Sequence, residues 1–189
     1  MIHNRTSIIN TALMRIGAQG VTAGFQDSAS AQTANAAYDR VVAHCLGLHP
    51  WSFALRRKVL AQGADVADGL YRHAYPLPAD CLRVVDVRSG GERMADWTIL
   101  GRELLCDAAA VLLTFVSAEA TAFPDAVADV IAWRLAFEMA PYAEQGGSNA
   151  QAYLEMFERA LDRARTLNDL ELRPARVRTS PFLEERRVN

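Results

Sequence analysis

Apolar positions change their period twice along the chain. Ile9, Ala12, Leu13 and Ile16 fall at i, i+3, i+4 and i+7, the spacing of a short amphipathic helix that Thr6 can cap and Gly17 can end. From Asp27 or Ser28 as cap, Ala31, Ala34, Tyr38, Val41, Cys45 and Leu48 recur at steps of three and four, which sets them on one face of a second helix. Much of that face is alanine, small enough to let another helix come close, from the same bundle or from a neighbouring subunit. The pattern stops at Pro50, which has no N–H to donate and pushes His49 out of the helical region. Trp51 and Phe53 follow at once and read as an apolar plug that fixes the turn.

The period then shortens. Runs at 57–60, 73–75, 82–87, 97–100, 103–106 and 111–116 are short and partly β-branched, with Ser89-Gly90-Gly91 and Gly101-Arg102 as turns between them. They predict an antiparallel insert of five or six strands, a small barrel or a curled sheet. Pro124 next stands where a first helical turn tolerates proline, and a long helix is predicted to about Ala143. Asp125, Asp129, Arg134 and Glu138 form its only polar stripe, so it must be buried on most sides, by its own bundle or by another subunit. Trp133 and Phe137, together with Ala31 and Ala34, are the candidate subunit-interface residues. Gly146-Gly147 breaks the chain, Ser148 with Gln151 forms a capping box, and Ala150, Tyr153, Leu154, Phe157, Leu161 and Ala164 give a last helix its stripe. The predicted class is α+β: mainly a bundle of four helices (1–55 and 117–171), an inserted small antiparallel β domain (56–116) and an extended C-terminal arm (172–189).

Composition narrows the chemistry. With 189 residues, 51% hydrophobic and 22% charged, the chain can bury a real core, and it has no apolar run of the ~18 residues a membrane helix needs. The first residues lack a signal peptide's apolar centre, which predicts a protein made and kept in a cytoplasm. Cys45, Cys81 and Cys106 are odd in number and widely spaced, against both a disulfide framework and a zinc site, and no metal or cofactor is expected. Gly17, Gly20 and Gly24 follow a helix rather than a strand and lack Gly-Lys-Ser/Thr, so they are a connection and not a phosphate loop. His49 has no acid, Ser or Cys at an obvious partner spacing and reads as a packing or hydrogen-bonding histidine. A net charge of -2 gives no general basic field for nucleic acid. Basic residues nevertheless gather at one end: Arg173, Arg176, Arg178, Arg186 and Arg187 stand against Glu184 and Glu185 only. Pro174, Val177, Pro181, Phe182 and Leu183 lie among them, the composition of a docking segment that is ordered by contact with a partner.

Two stretches together resemble a known family. Leu48-His49-Pro50-Trp51-Ser52-Phe53-Ala54 is similar to a His-Pro-Trp-Asn-Phe-Ala element that closes the second helix of the tail tubular protein A family. These are the head-to-tail adaptors of short-tailed phages, found also in prophages and gene transfer agents. Tyr75-Pro76-Leu77-Pro78-Ala79-Asp80-Cys81-Leu82-Arg83-Val84-Val85 is similar to the family's strand-opening Leu-Pro-x-Asp-Cys-Leu-Arg-Val element. The likeness continues through the 99–107 hairpin and Phe123-Pro124, in the family's order, and so covers nearly the whole chain. The residues 63–69 and the tail beyond 172 do not align with it.

The resemblance implies a structural virion protein without catalytic activity, at the head-to-tail junction. A ring of about twelve copies would form under the portal and leave a channel through which DNA passes without sequence-specific binding. The β insert would face a tail tube, nozzle or stopper protein. The arm would reach the portal through Arg173, Arg176, Arg178, Phe182, Leu183, Arg186 and Arg187. His49, Pro50, Trp51, Phe53, Pro78, Asp80, Cys81 and Leu82 would be structural. Three rival readings remain at this stage: a tail terminator or stopper ring; a nucleic-acid-binding module using the basic tail; and a tail-associated cell-wall hydrolase. The hydrolase would need Asp80 and either Glu103 or Asp107 set ~5 to 10 Å apart across a sugar cleft.

Overall fold

Helix α3 (Asp125–Met139) is apolar around most of its circumference, and α1 (Arg5–Arg15), α2 (Ala29–Gly47) and α4 (Ala150–Leu172) all pack against it. A computed structural model describes residues 2–17, 29–63, 70–142 and 149–172. Val130, Ile131, Leu135, Ala136 and Met139 of α3 are wholly buried in the core these helices share. Its polar stripe is spent on ties to its neighbours. Asp129 pairs with Arg15 of α1, and Glu138 with Arg40 of α2 and with Arg134 one turn back. Asp125 takes a 2.9 Å contact from His3 in the short strand β1 (Ile2–His3).

Local signals place the helix ends. Asn4, not Thr6, caps α1: its side chain accepts the Ser7 N–H at 3.0 Å while Ser7 Oγ accepts the Asn4 N–H at 3.1 Å. Asparagine is among the best N-caps, and the reciprocal bond satisfies two orphan donors, which leaves Thr6 inside the first turn. Gly17, at φ +74°, closes the helix as expected. The candidate caps Asp27, Ser28 and Ser148 lie outside the described residues. On α2, Ala31, Ala34, Tyr38, Val41 and Cys45 are buried, and Leu48 falls beyond the last helical residue. Ala31 and Ala34 are 0% exposed within the chain's own core, which leaves them no surface for a partner. Their small size serves packing inside that core.

Between α2 and α3 the chain forms antiparallel sheet. The strands are β2 (Leu55–Leu60), β3 (His73–Pro76), β4 (Cys81–Ser89), β5 (Glu92–Arg93), β6 (Thr98–Leu100), β7 (Glu103–Cys106), β8 (Val111–Ser117) and β9 (Phe123–Pro124). Among the described residues they make a sheet ordered β2-β8-β4-β5, a second ordered β3-β7-β6, and a short β1-β9 pair. Instead of one curled sheet, two sheets cover a common core, to which Leu60, Val87, Leu113 and Phe115 come from the first and Tyr75, Leu104 and Cys106 from the second. Because side chains alternate along a strand, β8 serves two cores: Val111, Leu113 and Phe115 face the β core, and Val116 enters the helical one. On β4 the same alternation sets Val84 on the β core and Val85 against the helices, and a register irregularity between Val84 and Asp86 brings Val87 back to the β core.

Candidate functional site

The turn after α2 is held from two sides. Gly47 ends the helix, and the last carbonyls of any helix lack intrahelical partners. Trp51, 0% exposed, donates its indole N–H to the Cys45 carbonyl at 3.0 Å and so satisfies one of them. A half-buried Phe53 meets Phe123 of β9 edge to face, with ring centroids 6.0 Å apart. The aromatic plug expected from the sequence is therefore present, and it fastens the turn to the entrance of α3.

The far side of the turn is closed by the last part of α4. Asn168, a buried polar residue, accepts the Ser52 N–H at 2.7 Å through Oδ1, which directs its Nδ2 at His49 Nε2, 3.0 Å away. Asp169 Oδ1 stands 3.0 Å from the same ring nitrogen. One nitrogen can accept the Asn168 proton or give its own to Asp169, not both, so the two contacts belong to different tautomers of His49. Ser52 Oγ reaches Glu171 at 3.2 Å, and the Arg165 guanidinium donates to the Leu48 carbonyl at 3.4 Å. His49 thus has an acid partner after all, one that sequence spacing hides because it lies 120 residues away.

The second motif forms a turn clamped by one arginine. Arg102, in the turn between β6 and β7, donates to the carbonyls of Pro78, Ala79 at 3.2 Å and Cys81 at 3.1 Å. Asp80 accepts the Ser117 hydroxyl at 2.5 Å and its carbonyl accepts the Ala118 N–H at 2.8 Å, which joins the start of β4 to the end of β8. Pro78 and Cys81 are buried beneath this turn, and Leu82 is exposed. Arg83 then reaches back to the Gly47 carbonyl at 3.5 Å. The first motif therefore stands where the chain passes from helix α2 to strand β2, and the second is the turn between β3 and β4, tied to the end of α2 through Arg83.

Other candidate residues separate. Trp133 is covered on one side by the Arg15 guanidinium, 3.9 Å from its ring centroid, and on another by Tyr153, stacked at 6.3 Å. Phe137 lies under Arg134 at 5.2 Å. Both are half-buried by groups of the same chain. Asp80 is engaged by Ser117, and Asp107 accepts the Arg72 N–H at 2.9 Å. Glu103 begins β7, and Asp107 follows its end. The three thiols are buried, and burial raises each above its usual pKa, Cys45 to about 12. They are held as inert, protonated side chains. Among the described residues no group of three His, Cys, Asp or Glu side chains gathers to hold a metal ion, and no helix is long and apolar enough to cross a membrane. All seven arm residues named above, Arg173 to Arg187, lie outside the described residues.

Asn168 and Arg102 were not singled out by the sequence. Asn168 sits on the apolar stripe, seven residues after Leu161 and four after Ala164, and a polar residue on such a stripe is a usable sign of a buried hydrogen bond. Arg102 follows a turn glycine and carries no such mark. No known protein-family model matches the chain, and no curated protein matches it.

Proposed function

We propose that this chain is a structural subunit of a tailed phage or a related particle, a head-to-tail adaptor whose copies form a ring under the portal. The ring joins capsid to tail and leaves a channel for DNA. The observation that carries the reading is the ordered pair of motifs at 48–54 and 75–85, the first holding the passage from α2 to β2 and the second the turn between β3 and β4. In this reading residues 1–55 and 117–171 form a four-helix bundle, 56–116 an inserted β domain directed at the tail, and 172–189 an arm that docks on the portal. Arginines give the arm steering towards an acidic partner, and Phe182 is its apolar anchor.

A subunit of net charge -2 with the single lysine Lys58 suits a channel that must let DNA slide. Many Arg and Lys contacts to phosphate would hold the duplex through counterion release. The ring lumen is accordingly not net basic.

The test is to mix the purified protein with its cognate portal ring and record the mass and images of the product. A ring of this protein stacked on the portal supports the adaptor, and its loss on deleting 173–189 assigns the arm. A ring that binds a tail tube but not the portal would replace the adaptor with a terminator or stopper.

A further inference from the structure

An apolar groove runs along the second half of α4. One part, about 490 Å³, lies between α1, the start of α3 and α4; the other, about 550 Å³, lies between the 51–53 turn, the start of α3 and the end of α4. Asp125, Ala126 and Leu167 line both, so the two parts are one continuous trough. In the larger part the floor is made by side chains such as Phe53, Val127 and Ala164, and the wall by Leu167 and Leu170, which are 44% and 58% exposed. Among the described residues lining that part there are two carboxylates, Asp125 and Glu171, and no cation. Hydrogen bonding from His3 holds the Asp125 carboxyl below its usual range, so it is charged at neutral pH. Asp125 is paired with His3, and the other part of the trough is lined by Arg163 as well as Asp129, so the rim is acidic chiefly at the Glu171 end. An occupant that fits is extended, carries an apolar anchor, and brings its cations to that end.

We propose that residues 173–189 of the same chain lie back along this groove, with Phe182 seated beside Leu167 and the arginines facing its acidic rim. The geometry of attachment favours this occupant over any other. Leu172 is the last described residue of α4 and directly follows Glu171 at the mouth of the groove, so the arm starts where the groove ends. Arg173 precedes Pro174, and a residue before proline is driven out of helical conformation, which allows the chain to reverse there. The groove runs back to Ala160, about 17 Å of helix, while the ten residues from Leu172 to Phe182 span up to about 33 Å, enough for a reversal and the return. Tethering at the mouth supplies the arm at an effective concentration on the millimolar scale, which no free partner matches. Five arginines against two glutamates complement the rim. This contact does not depend on the portal reading; if both hold, the portal takes the arm from the groove.

Since all three native cysteines are buried, the experiment uses the full chain with Leu167→Cys and Leu183→Cys, which keeps the Phe182 anchor. Under mild oxidation the pair should close within one chain, running as a monomer of altered mobility, about tenfold faster than a control pair of Leu183→Cys with Val59→Cys on the exposed strand β2. Equal rates for the two pairs would overturn the proposal, as would a dimer ladder, which would place the arm in a neighbour's groove. In parallel, Leu170→Asn, at an exposed groove position on which the fold does not depend, removes apolar contact without adding charge and should speed trypsin cleavage after Arg176 and Arg178 about fivefold by raising the undocked population. Unchanged cleavage would also sink it. Failure to bind a portal would leave both results standing.

Discussion

The helices and the strands are held together by different means. Strands β2 to β8 come from one continuous stretch, 55–117, are joined by backbone ladders, and enclose a core of their own. The helical core needs 5–47 together with 125–172, and side chains make its long ties: Arg15 to Asp129, Arg40 to Glu138, Asn168 to Ser52. The strand region is thus closed locally, while the helical region is closed only when its two separated segments meet. Loop closure over a long intervening chain adds an entropic cost that the helical contacts must offset. Single side-chain losses should therefore loosen the helical region first.

The largest effect is expected at Trp51. Trp51→Ala removes a wholly buried ring and the cap on the Cys45 carbonyl, at a cost of about 3–5 kcal/mol. Urea unfolding followed by helical circular dichroism should shift strongly, while hydrogen exchange in β4 and β8 stays slow; exchange rising equally in both regions would show one cooperative unit. Asn168→Leu keeps the volume but leaves the Ser52 N–H without its acceptor, and about 1–3 kcal/mol is expected, read as faster exchange at the end of α4. Arg102→Ala tests the strand side: with three carbonyls released, about 1–2 kcal/mol should be lost, and the exchange change should stay within 75–106. Disturbance of α4 in that variant would break the contrast.

The smallest effect is in pH. Partial burial first, and the nearby Arg134 second, lower the pKa of His44, with Arg40 adding to the fall and Glu138 opposing it. The unfolded chain then binds more protons than the native one as pH falls below about 6.5, so stability drops through that window and is full above it. Melting temperature should fall slightly between pH 7.5 and 5.5, and His44→Gln should flatten the slope.

Much of this was written in local patterns. The buried face of α2, the six strand runs and the Pro50–Trp51 plug all depend on near neighbours, which a sequence displays. What escaped depends on distance. Asp169 and Asn168 meet His49 only because α4 returns to the turn, and Arg102 finds the 78–81 carbonyls only across the β core. The alanines of α2 were ambiguous because a small side chain suits contact within a subunit and between subunits equally; only the packed core places Ala31 and Ala34 inside. The Asn4 cap shows a local rule with two claimants, where reciprocal bonding to Ser7 outranks Thr6.

Strand β8 sets rules for how this sequence can drift. Phe115 and Val116 are neighbours in the chain, yet one is enclosed with Leu113 and Leu104 and the other with the helices. Changes at Phe115 should be compensated among the strands, and changes at Val116 by residues of α2 and α3. Adjacent positions will then vary independently of each other, whereas each covaries with partners tens of residues away. A one-residue insertion in this strand would exchange both sets of partners at once, which no single compensating substitution can repair.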